Sequence, residues 1–162
     1  MTVAAAVLLP SRAGGGGLGE AVAAALGSGA DETLAVVGSA GAAAAVPEGA
    51  TVLLDDAKSP DEASAARVAL DWVARAGHAT VVVAYGDLRR SPAVRHRGAW
   101  SCLVEATPRS PVLVGTRRGH PAGLVRLEAA SWSLLPLSGT LAVLWQTRPE
   151  LAAELDLSDL PR

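Results

Sequence analysis

Five short apolar stretches, each rich in Val, Leu or Ala and each bounded by Gly, Pro or Asp, recur along the chain: VAAAVLL at residues 3–9, LAVVG at 34–38, TVLL at 51–54, TVVVAY at 80–85 and PVLVGT at 111–116. Their hydrophobicity is continuous rather than alternating, as in strands covered on both faces. Helix-like segments lie between them, at residues 18–26, 59–76, 92–106, 124–135 and 140–147, and residues 151–157 suggest a last short strand. The clearest helix is 59–76: Ser59 can cap it, Pro60 suits its first turn, Asp61 and Glu62 favour its positive end, and Gly77 supplies a stop. Ala66, Ala69, Leu70 and Val73 share one face, with Arg67, Asp71 and Arg75 on the other. Strands and helices alternating at this spacing predict an α/β fold, a three-layer α/β/α sandwich with a mainly parallel sheet. The Ala/Gly tract at 38–50 is predicted to be a short helix and a turn, with disorder as the alternative.

The 162 residues suit one domain, taken as residues 1–162. With 50% hydrophobic residues, 19% charged and a net charge of −2, the chain fits a soluble globular protein and offers no basic footprint for nucleic acid. No apolar stretch approaches the ~20 residues of a membrane span, and the N-terminus shows no basic segment before its apolar run, so no membrane and no secretory signal are expected. The single cysteine, Cys102, excludes an internal disulfide and a cysteine zinc cluster. A cytoplasmic location is the corresponding expectation.

The first apolar run leads into "VLLPSRAGGGGLGE", residues 7–20. In a parallel α/β domain ligands collect at the carboxyl ends of strands, and the first strand-to-helix turn commonly meets phosphate. Glycines let backbone N–H groups approach an anion, the next helix adds its positive end, and Arg12 can add a charge-assisted contact. The loop lacks Gly-Lys-Ser/Thr, which excludes a Walker loop, and its G-x-G-x-x-G spacing is nearly automatic in a glycine run. A mobile connection is the competing reading.

Three stretches together resemble the MobA-like nucleotidyltransferases, especially the branch that attaches CMP to molybdopterin. "LLPSRAGGGGLG" is similar to that family's L-A-A-G-x-G-x-R-x-G, "VVVAYGDLRR" to its V-V-V-x-x-G-D-x-P, and "VLVGTRRGHPAGLVR" to G-x-R-G-H-P-x-x-x-x-R. The resemblance spans nearly the whole chain. It implies a nucleotide-diphospho-sugar-transferase-like (Rossmann-like) fold and Mg-dependent transfer of CMP or GMP from an NTP (CTP or GTP) to a phosphorylated acceptor such as molybdopterin. Carried onto this sequence, it places the nucleotide on Leu9, Pro10, Ser11, Arg12, Gly14, Gly15, Gly16 and Gly17. The magnesium and the catalytic role fall on Asp87, and the acceptor on Arg118, Gly119, His120 and Pro121.

The departures are specific. The family's Pro-Lys after the glycine loop is missing, about a dozen residues are deleted there, and the only lysine is Lys58. The family's Pro two places after the metal Asp is Arg89, and its Asp ahead of a G-A motif is replaced around Ser138 and Gly139. Since single electrostatic groups of this kind contribute about 10²–10³ in rate, a weakened or inactive copy is also implied. Two readings therefore stand: a nucleotidyltransferase, and a non-catalytic module of the same fold with a protein partner in cofactor maturation. An unrelated domain with flavodoxin-like strand order is a third.

Other residues have simpler roles. Asp55 and Asp56 are expected to end the third strand, and Cys102 to be a buried thiol. The four tryptophans, all on helix-like segments, are assigned to core packing.

Overall fold

In the computed structural model, which describes residues 2–10 and 16–160, the five apolar stretches form β1 (Val3–Leu9), β2 (Glu32–Val37), β3 (Thr51–Leu54), β4 (Thr80–Ala84) and β5 (Val112–Arg117). With β6 (His120–Glu128) and β7 (Ala152–Asp156) they make one sheet in the order β3-β2-β1-β4-β6-β5-β7. Neighbours are parallel except for β6, which runs antiparallel to both β4 and β5. This order excludes the flavodoxin-like reading.

Helices α1 (Leu18–Leu26), α2 (Ala40–Ala43), α3 (Glu62–Arg75), α4 (Arg97–Glu105), α5 (Ala129–Trp132) and α6 (Val143–Thr147) cover the sheet, with a 3₁₀ turn at Pro92–Arg95 before α4. Ala5, Val7 and Val82 point into one core with Leu18, Val22, Trp100 and Leu103 of α1 and α4. Ala4, Ala6, Val81 and Val83 point into the other, against Ala66, Leu70 and Val73 of α3 and Leu144 of α6. Successive side chains of the central strands thus fill opposite layers, which is why their sequences are apolar without alternation. No helix among the described residues is long and apolar enough to cross a membrane.

Several expectations are corrected. Residues 124–135, expected as a helix, are the end of β6 as far as Glu128, the short α5 (Ala129–Trp132) and a turn. A short apolar run buried on both sides carries the same signal in a helix and in a strand, and pairing with β4 and β5 decides it here. Arg126 lies buried within this strand, pairing with Glu128 at 2.8 Å and donating to the carbonyls of Leu103 and Val104 at 2.8 Å each. It thereby satisfies carbonyls at the end of α4, where a cation is favoured. The third helix starts at Glu62, capped by Asp61 and not by Ser59. The Asp61 carboxylate accepts from Ser64 N at 2.8 Å while Ser64 Oγ accepts from Asp61 N at 2.9 Å, a reciprocal box, and Glu62, three residues after Ser59, accepts from Gly86 N and Leu141 N instead. The segment 92–106 breaks at His96, whose extended backbone separates the 3₁₀ turn from α4.

Asp55 ends β3 as expected: its buried carboxylate accepts from Ala57 N and Ser64 Oγ. Cys102 is half-buried rather than buried, and Trp72 is exposed, donating from Nε1 to Glu32.

Candidate functional site

The site follows from strand order. β1 and β4 are adjacent and parallel, with Val7 opposite Ala84, so the loops leaving their carboxyl ends start side by side. β6 is the next strand, with Ala84 opposite Leu124, and the Tyr85 amide donates to the Gly123 carbonyl at 2.9 Å. Because β6 is antiparallel, the β5–β6 hairpin turns at this same edge. Three loops therefore meet on one side of the sheet: the glycine turn after β1, the loop 85–91 after β4, and the hairpin turn 117–120. β2 lies on the other side of β1, so the meeting point is the crevice where strand order reverses, the usual ligand position in α/β sheets.

In the first loop, Leu9 is buried in the core and Pro10 is half-buried. The Leu9 carbonyl accepts from Gly38 N at 3.2 Å, and a Cβ at Gly38 would come within 2.8 Å of the Pro10 carbonyl oxygen, so Leu9 and Pro10 anchor the strand end. Ser11, Arg12, Gly14 and Gly15 lie outside the described residues. Gly16 is exposed, and Gly17 caps α1 at φ 85°, a left-handed conformation suited to glycine. The Gly17 carbonyl accepts from Ala21 N at 3.0 Å, and no side chain among the described residues caps this helix start.

The second loop carries Asp87 on the surface. Its Oδ1 accepts from Arg89 N at 3.0 Å and Arg89 Nε at 3.3 Å, and its Oδ2 lies 3.6 Å from Arg90 Nε. The Arg89 backbone N–H chiefly, and then the Arg89 and Arg90 guanidinium groups, hold the Asp87 carboxyl below the usual carboxylate range. The loop approaches the glycine turn directly: a Cβ at Gly16 would meet Arg89 Cδ at 3.1 Å, and one at Gly17 would meet Leu88 Cβ at 3.4 Å. Behind the loop stands Glu62 at the start of α3, accepting from Gly86 N at 2.9 Å and Leu141 N at 2.7 Å. The segment expected to have lost an acidic residue, around Ser138 and Gly139, is tied to the same helix start by Gly139 N donating to Asp61 at 2.8 Å.

The third loop is a two-residue hairpin turn, with Arg118 at φ 52° and Gly119 at φ 78°. Two consecutive positive φ angles match the twist of a tight hairpin, but the first position here carries an arginine rather than the favoured Asn, Asp or Gly. The Arg118 amide donates to Ser158 Oγ at 2.9 Å, which braces the turn against the segment after β7. Arg118, Gly119, His120 and Pro121 are all exposed. Arg117, Arg118 and His120 line a cleft of about 380 Å³ together with Pro92 and His96 from the 3₁₀ turn and its end. Two arginines and two histidines, and no carboxylate, are among these lining residues. His96 was not legible in the sequence as a site residue, because it joins this wall only where the segment 92–106 breaks.

Among the described residues, no group of three or more His, Cys, Asp or Glu side chains could hold a metal ion. Asp87 alone fits the way magnesium is commonly held, by one carboxylate together with substrate phosphates, and does not fit an all-protein cage.

No protein-family model matches the chain, and no curated protein sequence matches it. Solved structures share its fold. Rv0371c from Mycobacterium tuberculosis H37Rv, in complex with manganese, is similar with TM-score 0.74 at 18% identity, over 99% of this chain and 90% of that one. A nucleotidyl transferase from Methanothermobacter thermautotroptrophicus, Mth528, is similar with TM-score 0.70 at 18% identity, over 99% and 88%. Glucosyl-3-phosphoglycerate synthase from M. tuberculosis, in complex with Mn²⁺, UDP and glucosyl-3-phosphoglycerate, is similar with TM-score 0.63 at 15% identity, over 97% and 70%. The fold is that of the nucleotidyl and nucleotide-diphospho-sugar transferases, a Rossmann-like three-layer sandwich.

Proposed function

We propose that this chain is a nucleotidyltransferase domain of MobA-like type, binding an NTP between the glycine turn and the Asp87 loop and a phosphorylated acceptor in the cationic cleft. The observation that carries the proposal is that the loop ends after β1 and β4 and the β5–β6 hairpin turn lie at one sheet edge, with Arg117, Arg118, His96 and His120 lining a cleft at the hairpin. An acceptor phosphate oxygen attacks the α-phosphorus of the NTP, the bond to the bridging oxygen breaks, and pyrophosphate leaves. Arg117, Arg118, His96 and His120 hold the acceptor anion, and the amides at the start of α1 face the nucleotide phosphates. A divalent ion, magnesium in this proposal, supplies neutralisation of phosphate charge when bound, with Asp87 as its protein ligand. CTP or GTP is the donor and molybdopterin the acceptor that the motif resemblance implies. The neighbours whose names mention nucleotidyl transfer, UDP, Mn²⁺ and phosphorylated sugar acids support this class of chemistry.

A second reading rests on a specific observation: Asp87 is already neutralised by Arg89 and Arg90, and no second carboxylate joins it within a metal-holding group among the described residues. On that reading the chain is a non-catalytic module in cofactor maturation with a protein partner. Thermal unfolding with each of the four NTPs, with and without Mg²⁺ or Mn²⁺, separates the two. At a ligand concentration of about 100 Kd, binding contributes about 2.7 kcal/mol, a rise of roughly 5–10 °C for a chain of this size. The first reading expects a metal-dependent rise with one NTP that Asp87→Ala abolishes, together with pyrophosphate release in the presence of acceptor. No rise with any NTP supports the module.

A further inference from the structure

We infer that the free edge of β3 pairs with the same strand of a second copy of this chain, antiparallel and across a two-fold axis, so that the two sheets become continuous. The inference is independent of the proposed nucleotide site. β3 and β7 are the two ends of the sheet, and they differ in kind. β7, AAELD, carries Glu154 and Asp156, both exposed, and charge on an edge strand opposes pairing with another chain. β3, TVLL, has no charged residue, no proline and no break in its register with β2, the devices that blunt an edge. Its Val52 and Leu54 are instead 40% and 54% exposed. They stand opposite Ala35 and Val37 and so face the α1 side of the sheet. Leu26 of α1, itself exposed, packs against the turn that leads into β3, where a Cβ at Gly49 would meet its Cδ2 at 3.4 Å.

Backbone direction selects the same two residues. The Asp55 amide donates to the Val37 carbonyl at 2.9 Å, so position 55 faces β2. Successive residues of a strand turn their N–H and C=O to opposite sides, so Thr51 and Leu53 also face β2 while Val52 and Leu54 offer theirs to the open edge. With the axis at Leu53, Val52 of one protomer exchanges hydrogen bonds with its partner's Leu54, and the reverse pair follows by symmetry. Both pairs then bring exposed apolar side chains together on one face. The flanking charges select this register. Glu48, Asp56 and Lys58 are exposed, and none of them joins an ion pair among the described residues. An axis at Leu53 sets Glu48 toward the partner's Lys58 and Asp56 toward its Ala50. An axis at Val52 would set Glu48 against Asp56, and an axis at Leu54 would set Val52 against Asp56. The edge is thus complementary to itself in hydrogen bonding, apolar pattern and charge, which is what commits it to a second copy.

A short strand pair buries little surface, so the association is weak and is followed by sedimentation of the full chain from about 1 µM to 1 mM, where a monomer–dimer equilibrium is expected. Val52→Lys and Leu54→Lys, each at an exposed position, are expected to weaken the dimer roughly tenfold or more. Glu48→Lys and Lys58→Glu are each expected to weaken it roughly 2- to 10-fold at low salt, and the chain carrying both to regain wild-type dimerisation. Circular dichroism and the unfolding temperature report that each variant is folded. Amide exchange of the unaltered protein, read by NMR at low and high concentration, is expected to slow with concentration at Val52 and Leu54 but not at Leu53, whose N–H already serves β2. A chain that stays monomeric throughout, a dimer that Val52→Lys leaves intact, a double reversal that associates no better than the single ones, or exchange at Val52 and Leu54 that ignores concentration each overturns the inference.

Discussion

Tyr85, the residue between β4 and the Asp87 loop, shows how closely the site is backed by the core. Its ring packs edge-on against Trp145 with centroids 5.3 Å apart, and its hydroxyl is buried without a hydrogen-bond partner among the described residues. Burial, and then the nearby Glu62 carboxylate, push its pKa well above the ordinary value near 10. A raised pKa in the folded state means that the unfolded chain releases this proton first as pH rises. The stability contribution is therefore complete below about pH 10 and falls as pH climbs above it. Tyr85→Phe keeps the ring contact and removes the buried hydroxyl, so it is expected to leave stability at pH 7 unchanged or raise it by about 1 kcal/mol. It is also expected to flatten the loss of stability between pH 10 and 12. Urea unfolding at pH 7 and across that range checks both, and a variant destabilised by 1 kcal/mol or more at pH 7 contradicts the description of the hydroxyl as unpaired.

At the scale of elements, the start of α3 organises the edge from behind. Asp61 caps the helix through Ser64 and also accepts from Gly139 N, and Glu62 joins the Gly86 amide to the Leu141 amide. Arg67, one turn on, donates to the carbonyls of Leu137 and Pro136. Asp61→Ala is expected to cost about 1–2 kcal/mol through the lost cap and to raise amide exchange around 137–141, measured by urea unfolding and hydrogen exchange. The carboxyl of Asp61 is held below its ordinary value by the Gly139 amide first and the Ser64 amide second. Its contribution is thus present above about pH 4 and lost as pH falls below it, so the variant and wild type should converge in stability in acid. Unequal legibility of the elements has a physical basis. β1 and β3 could be bounded by residue because Pro and Asp punctuate them, and α1 because glycines precede and follow it. The second half of β6 reads as the start of a helix because "LVRLE" sets Arg126 and Glu128 in an apolar run, and nothing local reveals that Arg126 reaches inward to the end of α4. Ser59 is the cap that the sequence suggests, with Glu62 three residues on, but the box forms between Asp61 and Ser64 while Glu62 holds the Gly86 and Leu141 amides, contacts that no local pattern reveals.

For the whole molecule, the net charge of −2 says nothing of where charges fall: Arg89, Arg90, Arg117, Arg118 and His120 lie in the loops at one sheet edge, with Asp87 paired to the first two. That gathering was only half legible. The glycine run, Asp87 and the R-R-G-H-P turn could each be picked out as motifs, but the first two are neighbours through the parallel pairing of β1 with β4, and the third reaches their edge through the antiparallel insertion of β6 between β4 and β5. The contribution of His96 comes from a helix break that the sequence does not announce. If the three loops form one nucleotide site, a paramagnetic ion delivered with the nucleotide must sit among them. The most direct test is amide NMR of the labelled protein with Mn²⁺ and the preferred NTP, compared with Mn²⁺ alone. The account predicts nucleotide-dependent line broadening centred on residues 16–20 and 86–91 and fading toward 117–121. Broadening that is absent, unaffected by nucleotide, or centred at the opposite end of the sheet near residues 105–112 would contradict it.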